Sequence, residues 1–425
     1  MTLAAVGSSL LMDLLSGPRP AEWEKLRVEA EARLAGGELP TTAKEDWRYT
    51  DLKALEGITF GPAPKATANT SSRLLPEMVG TRQVFINGHY ASHASCVSAL
   101  PPGLRFLPLS LASEACHALG TVGNVATNLF ADLNTARFQD GAVILVPKNL
   151  KVSLPLHLLF MTQAPAPIAA FPRVLVLLEP GAELELVEEH HGEGLYLSAP
   201  VVEVRVAAGA ILRHERVQRE SHQAFHFSTL HAEVAAGGQY HSRTLSFGAR
   251  LSRQQPWVRL AEGAEVTLDG LALLEGDQVA DTHSFLLHAE PHASSRQLHK
   301  CIVDGHGRAV FNGQILVAPG AQGTDAKQQS RNLLLSEGAR VDTKPQLEIY
   351  ADDVKCSHGA AVGQLDPEEL FYLQSRGMNE NDARNLLTYG FAADVINHVP
   401  VASLRRALRQ LVMARTQATS LGDLA

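Results

Sequence analysis

Cysteine is scarce in this 425-residue chain, which has four, at positions 96, 116, 301 and 356, and no Cys-x-x-Cys pair. That excludes a disulfide-built scaffold and leaves the chain alone without a recognisable four-thiolate zinc or iron–sulfur site. Basic residues are outnumbered, 37 against 45 acidic ones, for a formal net charge of −8, so nucleic acid is not an expected partner. No uninterrupted apolar run approaches the roughly 18 residues of a spanning helix, so no membrane partner is expected either. Residues 1–15 are apolar but hold no Lys or Arg before Asp13. They lack the charged head of a secretory signal and read as a short amphipathic helix or an unstructured start, which makes the expected location cytoplasmic. There is no Gly-Lys-Ser/Thr and no Gly-x-Ser-x-Gly, which excludes P-loop nucleotide hydrolysis and the nucleophile-elbow hydrolases. What remains is the composition of a folded protein, 45% hydrophobic and 19% charged, with length for two to four domains.

The chain divides into three textures. From 23 to 34, Trp23, Leu26, Ala30 and Leu34 recur at helical spacing, and Gly36-Gly37 ends the pattern. A charged and aromatic block follows at 40–51, then a Pro/Ala/Thr/Ser/Asn-rich stretch at 61–73 that reads as a linker. Residues 84–90 read as a hairpin with Asn87-Gly88 as its turn, and residues 110–138 return to helical spacing. After Asp140, short Val- and Leu-rich runs alternate with turns, at 143–146, 156–161, 174–178 and 201–206. From Asp366 the pattern is helical again. The expected domains are therefore 1–139, mostly helical; 140–365, the strand-rich core; and 366–425, helical.

Within the core one turn signature recurs: Gly181-Ala182, Gly209-Ala210, Gly237-Gly238, Gly263-Ala264, Gly320-Ala321 and Gly338-Ala339, at gaps of 28, 28, 26, 57 and 18 residues. The long gap splits at Glu290-Pro291-His292-Ala293, a degenerate copy, into 29 and 28. A near-constant period of this size marks a solenoid. The unit has strands and turns but no helix, so the expectation is a β-solenoid, its corners using Gly where positive φ is needed. A large antiparallel β-sandwich is the other candidate, but sandwich turns usually recur every ~8–12 residues.

In the C-terminal region, Asp366-Pro367 suits a helix start and Gly377 an end. Asn379 suits the cap of a second helix, and Pro400 precedes a third through Arg415. There Leu404, Leu408 and Leu411 form an apolar stripe while Arg405, Arg406, Arg409 and Arg415 face elsewhere. They form either a solvated basic face or a docking surface for an acidic partner.

Few residues suggest chemistry. His288-Ala289-Glu290-Pro291-His292 resembles a zinc-protease helix only superficially, because the Glu is out of place and Pro291 opposes a helix. His190 and His191 are adjacent, so on a strand they point to opposite faces and do not share a metal. Lys355-Cys356-Ser357-His358-Gly359 is better placed. On a strand Cys356 and His358 share a face, about 7 Å apart. A thiol and an imidazole there suit a borderline or soft metal, or sulfur exchange. Two ligands do not close a tetrahedral site or a cluster, so the others would come from another subunit. The plainer reading is a structural cysteine beside a hydrogen-bonded histidine.

The run Arg331-Asn332-Leu333-Leu334-Leu335-Ser336, followed by Thr343-Lys344-Pro345-Gln346-Leu347-Glu348-Ile349-Tyr350-Ala351-Asp352-Asp353-Val354-Lys355-Cys356-Ser357-His358-Gly359, closely resembles the SufB/SufD family of iron–sulfur cluster assembly proteins. Phe371-Tyr372-Leu373-Gln374-Ser375-Arg376-Gly377, Gly390-Phe391, Val310-Phe311-Asn312-Gly313 and Gln322-Gly323-Thr324-Asp325-Ala326 continue the match. Upstream, Glu45-Asp46-Trp47-Arg48-Tyr49-Thr50 resembles the family's N-terminal signature. Within the family the chain looks like the SufD branch. Cys-Ser-His-Gly after Asp-Asp-Val-Lys is the SufD form, whereas the SufB form carries a Glu-His pair here with its functional cysteine slightly upstream.

The resemblance implies a right-handed parallel β-helix core flanked by helical regions. It implies a non-catalytic scaffold subunit that pairs with SufB through the β-helix and binds the SufC ATPase through the C-terminal helices, residues 367–415. Carried over, the position implicated in assembly is His358, the candidate metal ligand, with Cys356 beside it at the partner interface; no residue is assigned a catalytic role. No cofactor is expected to be held stably by this chain alone. Iron or a nascent cluster would be held in the complex, and for the flavin proposed in the family the sequence shows no dinucleotide fingerprint. A homodimer is open to the isolated chain through its β-helix edges. Two alternatives stand beside this reading, a purely structural partner of SufB without a metal role and, further off, a β-helix carbohydrate-active enzyme.

Overall fold

The computed structural model describes residues 10–11, 13–15, 23–112, 117–122 and 128–415. Most of the apolar N-terminal stretch, Cys116 and the last ten residues therefore lie outside the described residues. So does part of the segment at 110–138, whose described helix is α2 (Leu129–Arg137).

The core is a parallel β-solenoid of about eight turns. Strands pair with the next strand but one, which builds two sheets. One runs from Gly141–Val146 through Arg173–Leu178, Val201–Val206 and Phe225–Val234 to Arg340–Ile349. The other runs from Leu156–Ala170 through Glu183–Ser198 and Ile211–Arg219 to Val354–Gly363. Each residue pairs with the one 26 to 32 positions further on, as Gln239 with Glu265 and Arg308 with Arg340 show.

One corner explains the repeat. Where the chain passes from the first sheet to the second, a left-handed residue stands at the same place in seven successive coils: Asn149 (φ 60°), Gly181 (70°), Gly209 (63°), Gly237 (63°), Gly263 (62°), His292 (60°) and Gly323 (71°); the last of these turns is longer and holds a second, Gly320 (84°), so the Gly320-Ala321 pair lies three residues ahead of the equivalent corner. The N–H of each of the seven donates to a carbonyl of the following coil, for example Gly209 to Ala236 at 3.2 Å, Gly263 to Pro291 at 3.0 Å and His292 to Gln322 at 2.8 Å. The degenerate copy at 290–293 is thus a true corner in which histidine takes the glycine's conformation. Asn149 is a further copy, and asparagine is among the residues that tolerate it. Gly338-Ala339 is not a copy. It lies at the opposite corner, between Thr324–Leu334 and Arg340–Ile349, and Gly338 has no positive φ. Its gap of 18 measures the way around a coil rather than along the stack.

Side chains alternate in and out along every strand. Beside the left-handed corner the interior is apolar, with Leu184, Leu186, Val204, Val258, Leu286 and Ile315 in one buried cluster. Toward the opposite corner it is polar and charged. Glu188 accepts from both His190 (2.7 Å) and His214 (3.1 Å), with Arg216 at 3.7 Å. His226 lies 2.7 Å from Glu220, and all of these groups are buried. Burial opposes ionisation of Glu188, but Arg216 and the imidazoles outweigh it and hold the carboxyl well below the usual range. His190 and His191 take different glutamates, 188 and 189, on opposite faces of the strand.

The outer faces are covered by the chain's own ends. On the first sheet lie the N-terminal elements. α1 (Glu24–Leu34) forms as its spacing predicts, but the stripe differs, because Arg27 rather than Leu26 is fully buried. Its guanidinium donates to the carbonyls of Ala136 (3.0 Å) and Phe138 (2.9 Å) and lies 4.2 Å from the Phe138 ring. The block 45–50 acts as an anchor. Arg253 lies 3.9 Å from the Trp47 ring, Thr50 donates to buried Asp281 at 2.5 Å, and Glu45 pairs with Lys344. The stretch at 61–73 is tied down at Gly61–Pro62, which pairs with Ile168 and Ala169. The hairpin forms, with Asn87 and Gly88 both at positive φ. Strand Arg82–Ile86 then caps the first coil of the second sheet, and Arg105–Pro108 caps that of the first.

On the second sheet lie α3 (Pro367–Ser375), α4 (Glu380–Ile396) and α5 (Ala402–Arg415). Asp366 and Asn379 cap α3 and α4, accepting from Glu368 N and Asp382 N. Val395, Ile396, Leu404, Leu408 and Val412 pack on Val187, Val217, Leu245 and Leu271. No described helix is long and apolar enough to cross a membrane.

Two outcomes follow. Gly237→Ala meets open space at its Cβ but is held at φ 63°, so it costs about 1–2 kcal/mol of stability through backbone strain alone. His292→Gly, at an equivalent corner, does not carry that cost. Denaturant midpoints separate the two, and equal losses would contradict the corner assignment. The second outcome concerns acid. Burial pushes the imidazoles of His231, His288 and His299 down to about 4. Unfolding lets each take up a proton between its unfolded value of ~6.5 and that value. These three groups therefore lose stability as pH falls from about 6.5 to 4; Glu215, raised to about 7 by burial, offsets part of the loss, and a midpoint that stays flat or rises over that window would refute the net effect.

Candidate functional site

The two ends of the solenoid differ. The first coil is capped by N-terminal strands, whereas among the described residues the last coil, Arg340–Ile349 and Val354–Gly363, has a strand partner on one side only. Val354–Gly363 is the most exposed strand of the core. Tyr350 (60% exposed), Val362 (47%) and Ile349 (41%) face solvent there, an arrangement unusual for a chain that leaves nothing to pair with it.

Cys356 and His358 lie on this strand two positions apart, so they share its face. In register, Cys356 pairs with Ala326 and His358 with Gln328. Ala326 and Gln328 point into the solenoid and are buried, so Cys356 and His358 are the next layer of the interior column, uncovered because the stack stops. Cys356 is half-buried and packs against the apolar interior. Its burial pushes the thiol up, with Asp325 adding to the shift and the Ala326 backbone N–H opposing it. It is a poor thiolate as it stands. His358 is exposed.

No third ligand joins them. Among the described residues no group of three or more His, Cys, Asp or Glu side chains is arranged to hold a metal ion. Cys301 is fully buried, its thiol pushed up to about 12 by burial, and Cys96 is half-buried at the other end of the molecule. The chemistry this edge offers is therefore one accessible imidazole, one half-shielded thiol and two unpaired strand edges.

The C-terminal arginines are largely used within the chain. Arg415 donates to the carbonyls of Leu273 (3.2 Å) and Phe247, Arg405 to Val399 O (2.6 Å), and Arg409 to Asn397 Oδ1 (2.7 Å). Among their exposed residues, most of them polar, two large apolar side chains stand out, Phe371 (72% exposed) and Tyr372 (57%) on α3. No single-residue rule marks that pair, because an aromatic in a helix is ordinarily counted as core. The polar interior and Gln328 beneath His358 also escape a motif search, although a residue about 30 positions upstream of His358 is where the repeat places its neighbour.

Comparison with known proteins agrees over nearly the whole chain. Residues 13–158 match the SufBD protein N-terminal region, and residues 160–391 match the SufBD core domain of the SUF system for iron–sulfur cluster assembly. An iron–sulfur cluster assembly SufBD family protein of Synechocystis is 37% identical over 95% of this chain and 93% of its own. The iron–sulfur cluster assembly protein SufD of Escherichia coli is 34% identical over 89% of this chain and 88% of its own. The solenoid, its two helical covers and these matches identify the chain as a member of the SufB/SufD family, whose role is in iron–sulfur cluster assembly.

Proposed function

We propose that this chain is a SufD-type accessory subunit that pairs with a SufB-type partner through the open last coil of its solenoid. There it presents His358 to iron or to a nascent cluster, while its C-terminal helices recruit a SufC-type ATPase. The observation that carries the reading is the unfinished end: two strands unpaired on their outer side, with the last inward-facing imidazole exposed between them. Neutral imidazole is a competent iron ligand, and partial histidine ligation has precedent in iron–sulfur centres. Iron here is cargo, and the thiols that a cluster needs would come from the partner. Cys356 stands beside the site with its thiol protonated at neutral pH. Its expected role is packing the edge, with sulfur chemistry available only once a cation or partner lowers its pKa.

A second reading is a purely structural partner. It is favoured by the absence, among the described residues, of any ready-made ligand group around His358. One experiment separates the two. His358→Ala is made in the full complex with both partners, and cluster formation is followed by visible absorption and Mössbauer spectroscopy. The proposed role requires at least a tenfold loss of cluster formation, about 1.4 kcal/mol, with the complex intact by size exclusion. Undiminished assembly would leave the structural role standing.

The docking half of the proposal is tested apart. Phe371→Ser with Tyr372→Ser removes exposed apolar surface and, within the chain, the exposed contact of the Tyr372 ring with Arg376 at 5.2 Å, so it moves the denaturant midpoint little. It weakens capture of the ATPase by tenfold or more. Retained capture would place that partner elsewhere.

A further inference from the structure

We propose that Gln328 positions His358: its buried side-chain carbonyl accepts the N–H of one imidazole nitrogen and leaves the lone pair of the other facing out of the open coil. The inference rests on the reading of His358 as the assembly ligand and adds the element that would fix its tautomer.

Beneath His358 runs a short chain of hydrogen bonds through the solenoid interior. Gln297 Nε2 donates to Ser284 Oγ at 2.7 Å, and Gln328 Nε2 donates to Gln297 Oε1 at 2.8 Å. Gln328 spends its N–H on Gln297 of the coil behind, whereas Gln297 spends its own across the interior, on Ser284 of the facing sheet in the same coil, which leaves its carbonyl for the coil ahead. For Gln297 that carbonyl is met by Gln328. For Gln328 it is met by nothing: Oε1 is buried and without a partner, and the residue is 0% exposed. The position ahead of it in register is His358, one strand spacing of about 4.8 Å away.

The neighbouring inward positions offer no better donor. Ala326 and Ala360 have no polar side-chain atom, and the hydroxyls of Ser330 and Thr343, though able to donate, make no hydrogen bond to Gln328 Oε1. Cys356 is at most a weak S–H donor. The slot itself is held open on purpose, since a Cβ at Gly313 would sit 2.4 Å from Gln328 Nε2. A buried acceptor left unmade is costly, and an imidazole N–H supplies the partner. The consequence is the one seen wherever histidine ligates metal. The hydrogen bond on one ring nitrogen decides which nitrogen remains free to ligate and how the ring is aimed.

The test reads the tautomer rather than assembly. In the full-length protein labelled with 15N-histidine, at a pH near 8.5 where imidazole is neutral, the His358 signals are identified by their loss in His358→Gln. The wild type is expected to show one dominant tautomer, with a slowly exchanging ring proton in NOE contact with the Gln328 carboxamide. Gln328→Met, which keeps the length and removes the acceptor, loses both features, and Gln328→Glu restores the fixed tautomer. A wild-type His358 showing the tautomer mixture and fast exchange of a free imidazole overturns the proposal without any variant. So does a fixed tautomer that survives Gln328→Met. A fixed, Gln328-dependent tautomer together with unimpaired cluster formation in His358→Ala would refute the role of His358 while leaving this hydrogen bond in place.

Discussion

Each coil has to cross from one sheet to the other at the same place, and it does so through a residue in the left-handed region whose N–H reaches the coil ahead. That corner sets the register of the whole stack. Once Gly181, Gly209, Gly237, Gly263 and His292 stand above one another, every later position in the coil is aligned with its counterpart 26 to 32 residues away. Alternation then sorts the side chains into interior and exterior columns. The apolar interior, the two outer faces that the helices cover and the column that ends at His358 are all consequences of this alignment.

The interior breaks the usual rule that charge stays outside, and it does so in an organised way. Glu188 meets His190 on its own strand and His214 on the next, with Arg216 close by. The partners come from adjacent coils, so the contacts exist only in the native register. Burying charge contributes little net stability, but a slip of one residue would turn Arg216 and Glu188 onto the opposite face and separate the buried groups from their partners. The same holds at the junction of solenoid and N-terminal cover, where buried Asp281 takes Thr50, Arg253 and His283 at once. Arg253 and the imidazole of His283 outweigh its burial and hold it at about 2. That junction gives the Trp-Arg-Tyr-Thr block a structural meaning. It is the clasp between the N-terminal cover and the sheet beneath it.

Much of this was legible in the sequence, for a physical reason. A corner that demands positive φ selects glycine at a fixed period, so the solenoid announces itself through spacing. Helix caps at Asp366 and Asn379, and the Asn87-Gly88 turn, are equally local. Misreadings arose where a local signal had a non-local meaning. Gly338 carries the corner's dipeptide but stands at the opposite corner. Arg27 sits where the pattern puts a polar face, yet it is buried because two carbonyls, of Ala136 and Phe138, are waiting for it. Arg415 reads as part of a free basic face because the carbonyls of Phe247 and Leu273 that occupy it lie more than a hundred residues upstream. Cys356 and His358 were legible as a pair, whereas the chain of amide hydrogen bonds beneath them was not. It exists only once successive coils are stacked.

The two ends of the solenoid are closed differently. At the first coil the chain provides strands from its own N-terminus to close both sheets. Among the described residues it provides none at the last coil, although three helices of 9, 17 and 14 residues follow directly afterwards. Those helices fold back over the outer face of the second sheet instead of over the open end. A free sheet edge is a hazard that proteins ordinarily cover or blunt. Leaving one uncovered beside material available to cover it is consistent with an edge kept for another chain. In the role proposed above, the poverty of ligands has the same logic. A site that assembles a cluster for transfer must release it, and a lone imidazole at an edge, completed only by a partner's thiols, loses its hold when the partner moves. A closed set of four ligands within one chain would retain the cargo instead.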